Sequence, residues 1–349
     1  MMEDKEMINT AEKDYILEVD GLKQYFPVKK NFLGKPISFL RAVDGVSFKL
    51  ERGKTLGIVG ESGCGKTTLG RTVLRLYDAT AGSAIYTSLD SSGEKRTYDL
   101  ASIPKKTFYD LRTELQLVFQ DPYSSLPPRM TVGAIIGEAV KVHKIVPNDQ
   151  VGDYVRKVMA RCGLQPHHYD RYPHEFSGGQ RQRICIARAL AVKPKLVICD
   201  EPVSALDVSI QAQIINLLKK LQREEGMSYM FISHDLSVVK YISDDIAVMY
   251  LGNIVEMGST KEICTNALHP YTQALFSAVP VANPHKKSDP VALEGELPSP
   301  ANPPKGCKFH TRCKYCMDKC REVAPEIRDV GNGHYVACHL NAEDKESNE

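Results

Sequence analysis

The 349-residue sequence lacks the features of a membrane-spanning or secreted chain. No run of apolar residues approaches the length of about 18 that a membrane-spanning helix requires. The first fifteen residues, MMEDKEMINTAEKDY, are charged and contain no apolar stretch of the kind found in signal peptides. We therefore expect no membrane span and predict that the chain stays in the cytoplasm.

The sequence also lacks an excess of charge of either sign. Its 45 Lys and Arg residues nearly balance its 43 Asp and Glu residues, and the formal net charge is +2. A protein that binds the phosphate backbone of a nucleic acid needs a clear basic excess. With 42% hydrophobic and 25% charged residues, the composition is that of an ordinary globular protein. It predicts no nucleic-acid partner.

Short apolar segments alternate with helical patterns over most of the chain, which predicts an α/β fold. The apolar runs at 196–199 and 230–233 are typical of buried parallel strands. Residues 208–225 repeat apolar side chains at helical spacing, and Gly226 is placed to end that helix. We further predict strands at 16–22, 43–50 and 55–59, a surface loop at 27–42, a mostly helical stretch at 110–191, and a hairpin of 246–249 and 254–257.

Residues 60–67, GESGCGKT, fit the pattern G-x-x-x-x-G-K-[ST] between a predicted strand and a predicted helix. The glycines allow backbone N–H groups to turn inward and form an anion-binding nest at the helix N-terminus. In such a loop Lys66 would reach the β- and γ-phosphates of a nucleotide, and the Thr67 hydroxyl would bind Mg²⁺. The residues predicted to bind the nucleotide here are Gly60, Glu61, Ser62, Gly63, Cys64, Gly65, Lys66, Thr67 and Thr68.

A second element, residues 196–201, places two carboxylates at the end of a short apolar strand. The α/β folds bind ligands at the carboxyl ends of their strands. Asp200 is suited to hold Mg²⁺, and Glu201 is suited to act as a general base on the attacking water. Together with the loop at 60–67, this pair predicts a nucleotide-hydrolysis site.

Two further polar residues follow apolar strands. Gln120 stands where it could reach Mg²⁺ or the attacking water, and His234 where it could touch the γ-phosphate. A histidine in such a place is more often structural, but its order relative to the other motifs favours a catalytic role. We assign Glu201, His234 and Gln120 as the catalytic residues.

A second glycine-rich turn, residues 176–180, precedes a predicted helix. Its Ser177, Gly178, Gly179 and Gln180 form another nest suited to phosphate. One nucleotide does not need two such nests from one chain. The pattern therefore predicts a head-to-tail pair of chains, in which each second nest closes over the other chain's ATP.

This ordered set of motifs closely resembles the ATP-binding subunits of ABC transporters. The elements in the family's order are the phosphate loop at 60–67, Gln120, the signature at 176–180, the strand at 196–201, the D-loop at 204–207 and His234. The resemblance covers about residues 15–262. It implies a P-loop NTPase core of the ABC type, an α/β fold with an antiparallel β subdomain and a helical subdomain at about 110–190.

The resemblance also assigns two further roles in ATP binding. In this family an aromatic residue stacks on adenine, and Phe26 is the first candidate, with Tyr25 as the second. Asp207 in the D-loop is assigned to the ATP site on the same ground.

The segments YFPVKK, GESGCGKTTLGR and HEFSGGQRQRI resemble the oligopeptide and dipeptide importers, in particular the F-type member of their two-ATPase pair. The resemblance implies a heterodimer with a second ABC ATPase subunit, two transmembrane permease subunits and an extracytoplasmic peptide-binding protein. It places the chain peripherally at the cytoplasmic face of the cell (inner) membrane. Nickel, glutathione or another small solute is the alternative cargo.

A rival interpretation is a soluble ABC-type ATPase that acts on nucleic acid or ribosomes. The balanced charge argues against it. The single nucleotide-binding domain does too, since soluble members usually carry two.

Five of the ten cysteines, residues 307, 313, 316, 320 and 338, lie together beyond a proline-rich stretch at 280–306. Disulfides are rare in a reducing compartment, so metal binding is the better interpretation of these cysteines. The spacing C-x5-C-x2-C-x3-C, followed by Cys338, suits either tetrahedral zinc or an iron–sulfur cluster. His310, His334 and His339 keep a zinc site with nitrogen ligands open.

The same segment resembles the C-terminal extension of the peptide importers, here residues 263–340. By that resemblance Cys307, Cys313, Cys320 and Cys338 bind a [4Fe–4S] cluster, and Cys316 is an additional thiol that could replace a ligand or be a bystander. Residues 341–349 are predicted to be a disordered tail.

Overall fold

Two β-sheets, of four and eight strands, organise the part of the chain that the structure describes. The structure is a computed structural model, and it describes residues 13–32, 36–90, 92–278 and 295–341. The predicted disorder of the tail concerns residues that, apart from Asn341, lie outside these ranges. The first part of the proline-rich stretch, 280–294, lies outside them as well.

The strands and helices follow one another in a largely alternating order. The strands are β1 (Tyr15–Lys30), β2 (Pro36–Glu51), β3 (Thr55–Val59), β4 (Ala81–Leu89), β5 (Lys95–Asp99), β6 (Leu115–Val118), β7 (Leu196–Asp200), β8 (Ser228–Ile232), β9 (Asp245–Tyr250), β10 (Asn253–Ser259), β11 (Arg328–Asp329) and β12 (Tyr335–Val336). The helices are α1 (Lys66–Val73), α2 (Lys105–Leu111), α3 (Val132–Val142), α4 (Val151–Arg161), α5 (Gly178–Leu190), α6 (Val208–Glu225), α7 (Leu236–Ile242), α8 (Thr260–Thr265), α9 (Pro270–Ser277) and α10 (Asp318–Glu322). Short 3₁₀ helices lie at Asn148–Gln150, Pro166–His168, Pro173–Glu175, His310–Arg312 and His339–Asn341.

The eight-stranded sheet has the order β11-β12-β10-β9-β3-β8-β7-β6. Strands β9, β3, β8, β7 and β6 are parallel to one another, and β3, β7 and β8 are buried along their whole length. The predicted strands at 55–59, 196–199 and 230–233 are confirmed. Because parallel strands end at the same edge of a sheet, the residues after β3, β6, β7 and β8 meet there.

The four-stranded sheet is antiparallel, with the order β2-β1-β4-β5. The predicted surface loop at 27–42 is wrong, because β1 continues to Lys30 and β2 begins at Pro36, with these two residues paired. Beyond Lys23, β1 pairs with β2 alone, so Pro27 lies beside an open edge. An edge tolerates a residue that has no N–H group.

The helices α3, α4 and α5 pack together beside the large sheet. Ile136 and Val140 of α3 are fully buried in one core with Val155 of α4 and Ile184 of α5. The predicted helical stretch at 110–191 contains these helices, but it also contains β6, which joins the large sheet. The predicted helix Val208–Glu225 is confirmed, and Gly226 ends it in the left-handed conformation, at φ +65°.

The C-terminal extension is joined to the large sheet by β12, which pairs with β10. Glu256 of β10 is fully buried beneath this junction. Its carboxylate accepts hydrogen bonds from the backbone N–H groups of Leu268 (2.7 Å) and His269 (3.0 Å), and lies 2.8 Å from His334 Nε2. A buried carboxylate needs such partners. The extension therefore packs on the core through sheet pairing and through this buried polar group.

Candidate active site

The loop at 60–67 connects β3 to α1, and two of its glycines, Gly60 and Gly65, cannot be replaced by a residue with a side chain. Gly60 and Gly65 have φ values of +148° and +109°. A Cβ atom at Gly60 would lie 2.2 Å from the carbonyl oxygen of Met249, and one at Gly65 would lie 2.0 Å from that of Ala42. Both the backbone conformation and the close approach therefore require glycine.

Lys66 begins α1 and folds its side chain back across the loop. Its ammonium donates hydrogen bonds to the carbonyl oxygens of Gly60 (2.7 Å) and Glu61 (3.0 Å). The side chain is buried, so its charge is held by these backbone dipoles rather than by bulk water. The loop thus presents a fixed positive charge at the N-terminus of a helix, which favours an anionic ligand.

Asp200 ends β7 directly beside the first turn of α1. Its carboxylate accepts a hydrogen bond of 2.7 Å from the Thr67 hydroxyl, and its other oxygen lies 3.5 Å from Arg71 Nη2. Burial raises the pKa of Asp200, and the bond from Thr67 partly opposes that shift. A buried carboxylate and a hydroxyl in contact are oxygen ligands of the type that Mg²⁺ prefers.

The three predicted catalytic residues meet at one carboxylate. Glu201 Oε2 accepts a hydrogen bond of 2.9 Å from Gln120 Nε2 and lies 3.2 Å from His234 Nδ1. The Glu201 backbone has a φ of +46°, in the left-handed region, and its N–H donates to the carbonyl of Ile232 at 3.0 Å. Backbone strain of this kind persists only where the surroundings hold it.

A cleft of about 230 Å³ opens over the loop. The predicted residues that line it are Ser62, Gly63, Gly65, Lys66, Thr67, Thr68, Gln120 and Glu201. Its remaining lining is Leu40, Ala42 and Pro300. Pro300 belongs to the C-terminal extension, and its carbonyl accepts a hydrogen bond of 3.1 Å from the Arg41 backbone N–H. No sequence pattern signals this contact, because it joins residues far apart in the chain.

Some predicted nucleotide-binding residues do not line this cleft. The Glu61 carboxylate instead pairs with Arg312 at 2.7 and 3.0 Å. Cys64 is buried, and burial raises the pKa of its thiol. The ring of Phe26 packs edge-on against Tyr77, at 5.2 Å between centroids.

Tyr25, the second candidate for adenine stacking, is also outside the cleft lining. Its hydroxyl donates to the Asp44 carboxylate. Burial, followed by this hydrogen bond, raises the pKa of Tyr25 to about 12. The adenine assignments of Tyr25 and Phe26 therefore stay predictions.

The second nest is built as a helix N-terminus, separate from the first cleft. Ser177 caps α5, and the Gln180 side chain accepts a hydrogen bond of 3.1 Å from the Ser177 N–H. Gly178 and Gly179 start the helix, and Gly179 lies so close to Ile210 that a Cβ atom would clash at 2.4 Å. Asp207 caps α6 by accepting from the Ile210 N–H at 3.0 Å. None of these residues lines the cleft over the phosphate loop.

Four of the five clustered cysteines line one small cavity, together with His310 and His339. They are Cys307, Cys313, Cys320 and Cys338. Cys316 is not among the lining residues, and its thiol faces the carbonyl of Met317 at 3.6 Å. His334 is likewise absent from the lining and bonds with Glu256.

Burial is the main cause of the raised pKa values of these thiols. It raises the pKa of Cys307 to about 12, and it also raises the pKa values of Cys313 and Cys338. Thiolates in this cavity would need a bound cation to offset the burial. Within the described ranges, no three His, Cys, Asp or Glu side chains are arranged to hold a single metal ion.

No helix in the described part of the chain combines the length and the apolarity needed to cross a membrane.

Two family models match the chain. The model described as "ABC transporter" matches residues 43–204, and the model described as "Oligopeptide/dipeptide transporter, C-terminal region" matches residues 255–320. The first range contains the phosphate loop, the signature and the strand with Asp200. The second contains four of the five clustered cysteines.

Solved structures with this fold include cbiO1 from Clostridium perfringens, part of the ABC transporter complex cbiONQ. It has a TM-score of 0.60 and 28% identity, and the match covers 73% of this chain and 92% of cbiO1. The dimeric ATP-binding cassette MJ0796, bound to ADP and Pi, has a TM-score of 0.59 over 70% of this chain and 98% of its own. At 22% identity, this second likeness concerns the fold alone.

Curated relatives match along almost their full length. The oligopeptide transport ATP-binding protein AppF of Bacillus subtilis is 50% identical over 335 residues, which are 95% of this chain and 99% of AppF. The dipeptide transport ATP-binding protein DppF of Escherichia coli is 49% identical, over 93% of both chains. OppF of Salmonella typhimurium is 48% identical, over 94% of this chain and 96% of its own. The chain therefore belongs to the ABC transporter ATPases, within the family of oligopeptide and dipeptide transport ATP-binding proteins.

Proposed function

We propose that this chain is the ATP-hydrolysing subunit that powers import of oligopeptides or dipeptides through a membrane permease. The observation that carries the proposal is the Glu201 carboxylate, held by Gln120 and His234 at the edge of the phosphate-loop cleft. A carboxylate in that position can take a proton from an attacking water. The names of the relatives, which cover oligopeptide and dipeptide transport, support the cargo.

The proposed roles of the residues that line or adjoin the cleft follow from their positions. Lys66 and the backbone N–H groups of the loop would bind the phosphates of ATP, while Thr67, Asp200 and Gln120 would hold Mg²⁺. When bound, Mg²⁺ supplies positive charge that offsets the charge developing on the transferred phosphoryl group. Glu201 accepts the proton of the attacking water, and His234 orients the reacting groups.

The second nest acts on the nucleotide of another chain. Ser177, Gly178, Gly179 and Gln180 would close over the ATP of a second ABC ATPase subunit in a head-to-tail heterodimer, with Asp207 at the same interface. The support is that these residues do not line the chain's own phosphate-loop cleft. ATP binding would close the pair, and hydrolysis would reopen it.

The remaining assignments concern the assembly. Two permease subunits and an extracytoplasmic peptide-binding protein would complete the transporter, with this chain peripheral at the cytoplasmic face of the membrane. Within the chain we assign residues 15–262 to the nucleotide-binding domain, with its helical subdomain at about 110–190, and residues 263–340 to the extension.

We assign the cysteine cavity to a [4Fe–4S] cluster. The support is that Cys307, Cys313, Cys320 and Cys338 share one cavity, whereas the extra Cys316 is not part of its lining. Four thiolates that bind a cluster attach to different iron atoms, so they need not converge on one point as the ligands of a single zinc ion do. The lack of a single-ion site is therefore compatible with a cluster.

Uptake by cells tests the cargo. Cells that carry the wild-type chain, the Glu201→Gln variant or no copy are given labelled dipeptide, labelled oligopeptide, nickel or glutathione. We expect the variant to abolish peptide uptake and to leave nickel and glutathione uptake unchanged. Peptide uptake at the wild-type rate in the variant, or loss of nickel or glutathione uptake alone, would show that the peptide assignment is wrong.

Purification of the tagged chain from detergent-solubilised membranes, without oxygen, tests the assembly. We expect mass spectrometry to find a second ABC ATPase and two multi-span proteins in the retained complex. Recovery of two copies of this chain with no second ATPase would contradict the heterodimer. Recovery of soluble partners alone would contradict the transporter.

A further inference from the structure

A short segment of the C-terminal extension, residues 307–313, contacts the phosphate loop at Glu61 and β2 at Asp44. It carries two cations, Lys308 immediately after Cys307 and Arg312 immediately before Cys313. Neither cation has been given a role by the motifs discussed above. Arg312 pairs with Glu61 of the phosphate loop, and Lys308 pairs with Asp44 of β2; neither carboxylate is part of the cleft lining itself.

Arg312 contacts the phosphate loop through the carboxylate of Glu61. Its Nη1 and Nη2 atoms lie 2.7 and 3.0 Å from the two carboxylate oxygens of Glu61, in the parallel arrangement typical of strong Arg–carboxylate pairs. The Arg312 side chain is 7% exposed and that of Glu61 is 25% exposed, so solvent screens the pair only in part. The Glu61 backbone N–H is also held, by the Tyr271 hydroxyl of the extension at 2.9 Å.

The contacts that hold Glu61 also affect Lys66, the residue proposed to bind phosphate. The carbonyl oxygens of Gly60 and Glu61 are the acceptors of the Lys66 ammonium. Holding Glu61 by its carboxylate and by its N–H therefore fixes the carbonyl groups that aim Lys66. Without Arg312, the Glu61 carboxylate would lose its cationic partner, and the uncompensated negative charge on the phosphate loop would disfavour phosphate binding.

Lys308 makes a corresponding contact with β2. Its ammonium lies 2.9 Å from Asp44 Oδ2 and donates to the carbonyl of Leu251 at 2.9 Å. Asp44 lies on β2, two residues after Ala42, which lines the cleft. Asp44 also accepts the Tyr25 hydroxyl.

Phe309 holds the segment 307–313 in place between these two contacts. Phe309 is 2% exposed. Its ring lies 5.3 Å from that of Tyr250 and 5.4 Å from that of Tyr271, measured between centroids. The cations at the two ends of the segment are thus carried by a buried aromatic cluster.

We propose that Arg312 is a positioning residue of the phosphate loop, through which the C-terminal extension sets the affinity of the site for ATP. The inference rests on the proposed ATP-binding function and adds a residue to it that lies outside all the ATP-site motifs. Arg312 acts through Glu61, and the affected quantity is nucleotide affinity rather than the chemical step. Lys308 holds Asp44 on β2, two residues from Ala42 of the cleft lining.

The test is a mutant cycle on the purified full-length chain, with Kd measured for a fluorescent ATP analogue in Mg²⁺. We expect Arg312→Ala to raise Kd about tenfold, which corresponds to about 1.4 kcal/mol. Arg312→Lys, which keeps the charge, should stay within about threefold of wild type. In a Glu61→Ala background, Arg312→Ala should raise Kd much less than in the wild type, because the carboxylate through which Arg312 acts is already gone and its bond with the Tyr250 hydroxyl does not reach the phosphate loop. Arg328→Ala, an exposed arginine on β11 of the same extension, is the matched control and should bind as wild type does.

A purely structural role predicts a different pattern. It would reduce the fraction of active protein and so lower kcat, with KM and Kd unchanged, and it would do so equally with or without Glu61. Either that pattern or a wild-type Kd in Arg312→Ala would overturn the inference. If Arg312→Ala does not fold, judged by its circular dichroism spectrum, the cycle is run with Arg312→Gln and the same criteria decide. Failure of the wild-type chain itself to bind the analogue would instead refute the proposed function.

Discussion

Gln120 and Glu201, which are 81 positions apart in the sequence, are joined by a hydrogen bond of 2.9 Å. The contact exists because β6 and β7 are parallel neighbours, so the residues that follow them emerge at the same edge of the sheet. His234 follows β8 at that edge and reaches the same carboxylate oxygen at 3.2 Å. The sheet thus gathers three separate segments around one carboxylate.

The first prediction concerns that carboxylate. Glu201→Gln keeps the size and the hydrogen bonds of the side chain but removes its ability to accept a proton. We expect the rate of ATP hydrolysis to fall at least about 100-fold, the lower end of what a general base contributes, while Kd for ATP stays the same. Steady-state phosphate release and equilibrium binding measure the two quantities. Glu224→Gln, an exposed position on α6, is the control, and wild-type hydrolysis by the Glu201 variant would contradict the assignment.

The second prediction separates Mg²⁺ binding from phosphate binding. Thr67→Val keeps the shape of the side chain and removes the hydroxyl that bonds with Asp200. We expect Kd for ATP with Mg²⁺ to rise about tenfold, the loss of roughly 1.4 kcal/mol from one ligand, and Kd for ATP in excess EDTA to change little.

The control for this second prediction is Thr72→Val, at a hydroxyl of the same helix that donates to the Thr68 carbonyl at 2.8 Å. It should leave both Kd values unchanged. An equal loss of affinity with and without Mg²⁺ in Thr67→Val would show that the hydroxyl does not act on the metal.

The third prediction uses the contrast between Cys316 and the cysteines of the cavity. Single Cys→Ser variants at 307, 313, 320 and 338 should purify with much less iron and sulfide than the wild type, because each would remove one ligand of the proposed cluster. Cys316→Ser should retain both at the wild-type level, since its thiol lies outside the cavity lining. Iron, sulfide and zinc are measured per chain after purification without oxygen.

The same measurement identifies the metal. Zinc without sulfide in the wild-type chain would rule out the cluster. Loss of iron and sulfide in Cys316→Ser would show that this thiol is a ligand, contrary to its place in the structure.

The chemistry of the ATP site was predictable from sequence because it depends on local patterns. The loop at 60–67 and the strand before Asp200 carry their structure in consecutive residues, and the rule for parallel strands brings them together. The pair of Glu61 with Arg312, 251 positions apart, has no such pattern. Neither does the contact of Pro300 with β2. The position of Glu61 in the motif predicts that it binds the nucleotide. In the structure its side chain instead pairs with Arg312 of the extension.

The loop predicted at 27–42 failed for a related reason. Its Pro, Gly and Lys residues are typical of turns, but a two-stranded ribbon with exposed faces does not select against them. Val28 of β1 and Ile37 of β2, which are 52% and 64% exposed, show that this part of the ribbon leaves apolar side chains in solvent. Pairing of backbone with backbone, which leaves little trace in the sequence, decides its structure.

The fourth prediction concerns His269, which starts α9 and is 1% exposed. Its Nδ1 atom accepts a hydrogen bond of 3.0 Å from the Tyr271 N–H, so this nitrogen carries no proton. Burial lowers the pKa of His269 to about 3. An unfolded chain has the ordinary histidine pKa of about 6.5. Below that pH, the unfolded chain binds a proton that the folded chain does not.

The folded state must therefore lose stability as the pH falls through 6.5. Between pH 7.5 and pH 5.5 the free energy of unfolding should drop by about 1.4 kcal/mol through His269 alone. His269→Asn keeps an acceptor at the helix N-cap and removes the titration, so its stability should depend less on pH by that amount, even though the variant is less stable at neutral pH. Urea unfolding at the two pH values measures the difference. His174→Asn, at an exposed histidine, should follow the wild type. If wild type and His269→Asn lose the same stability over this range, the histidine is charged inside the fold, and the buried neutral imidazole described here is wrong.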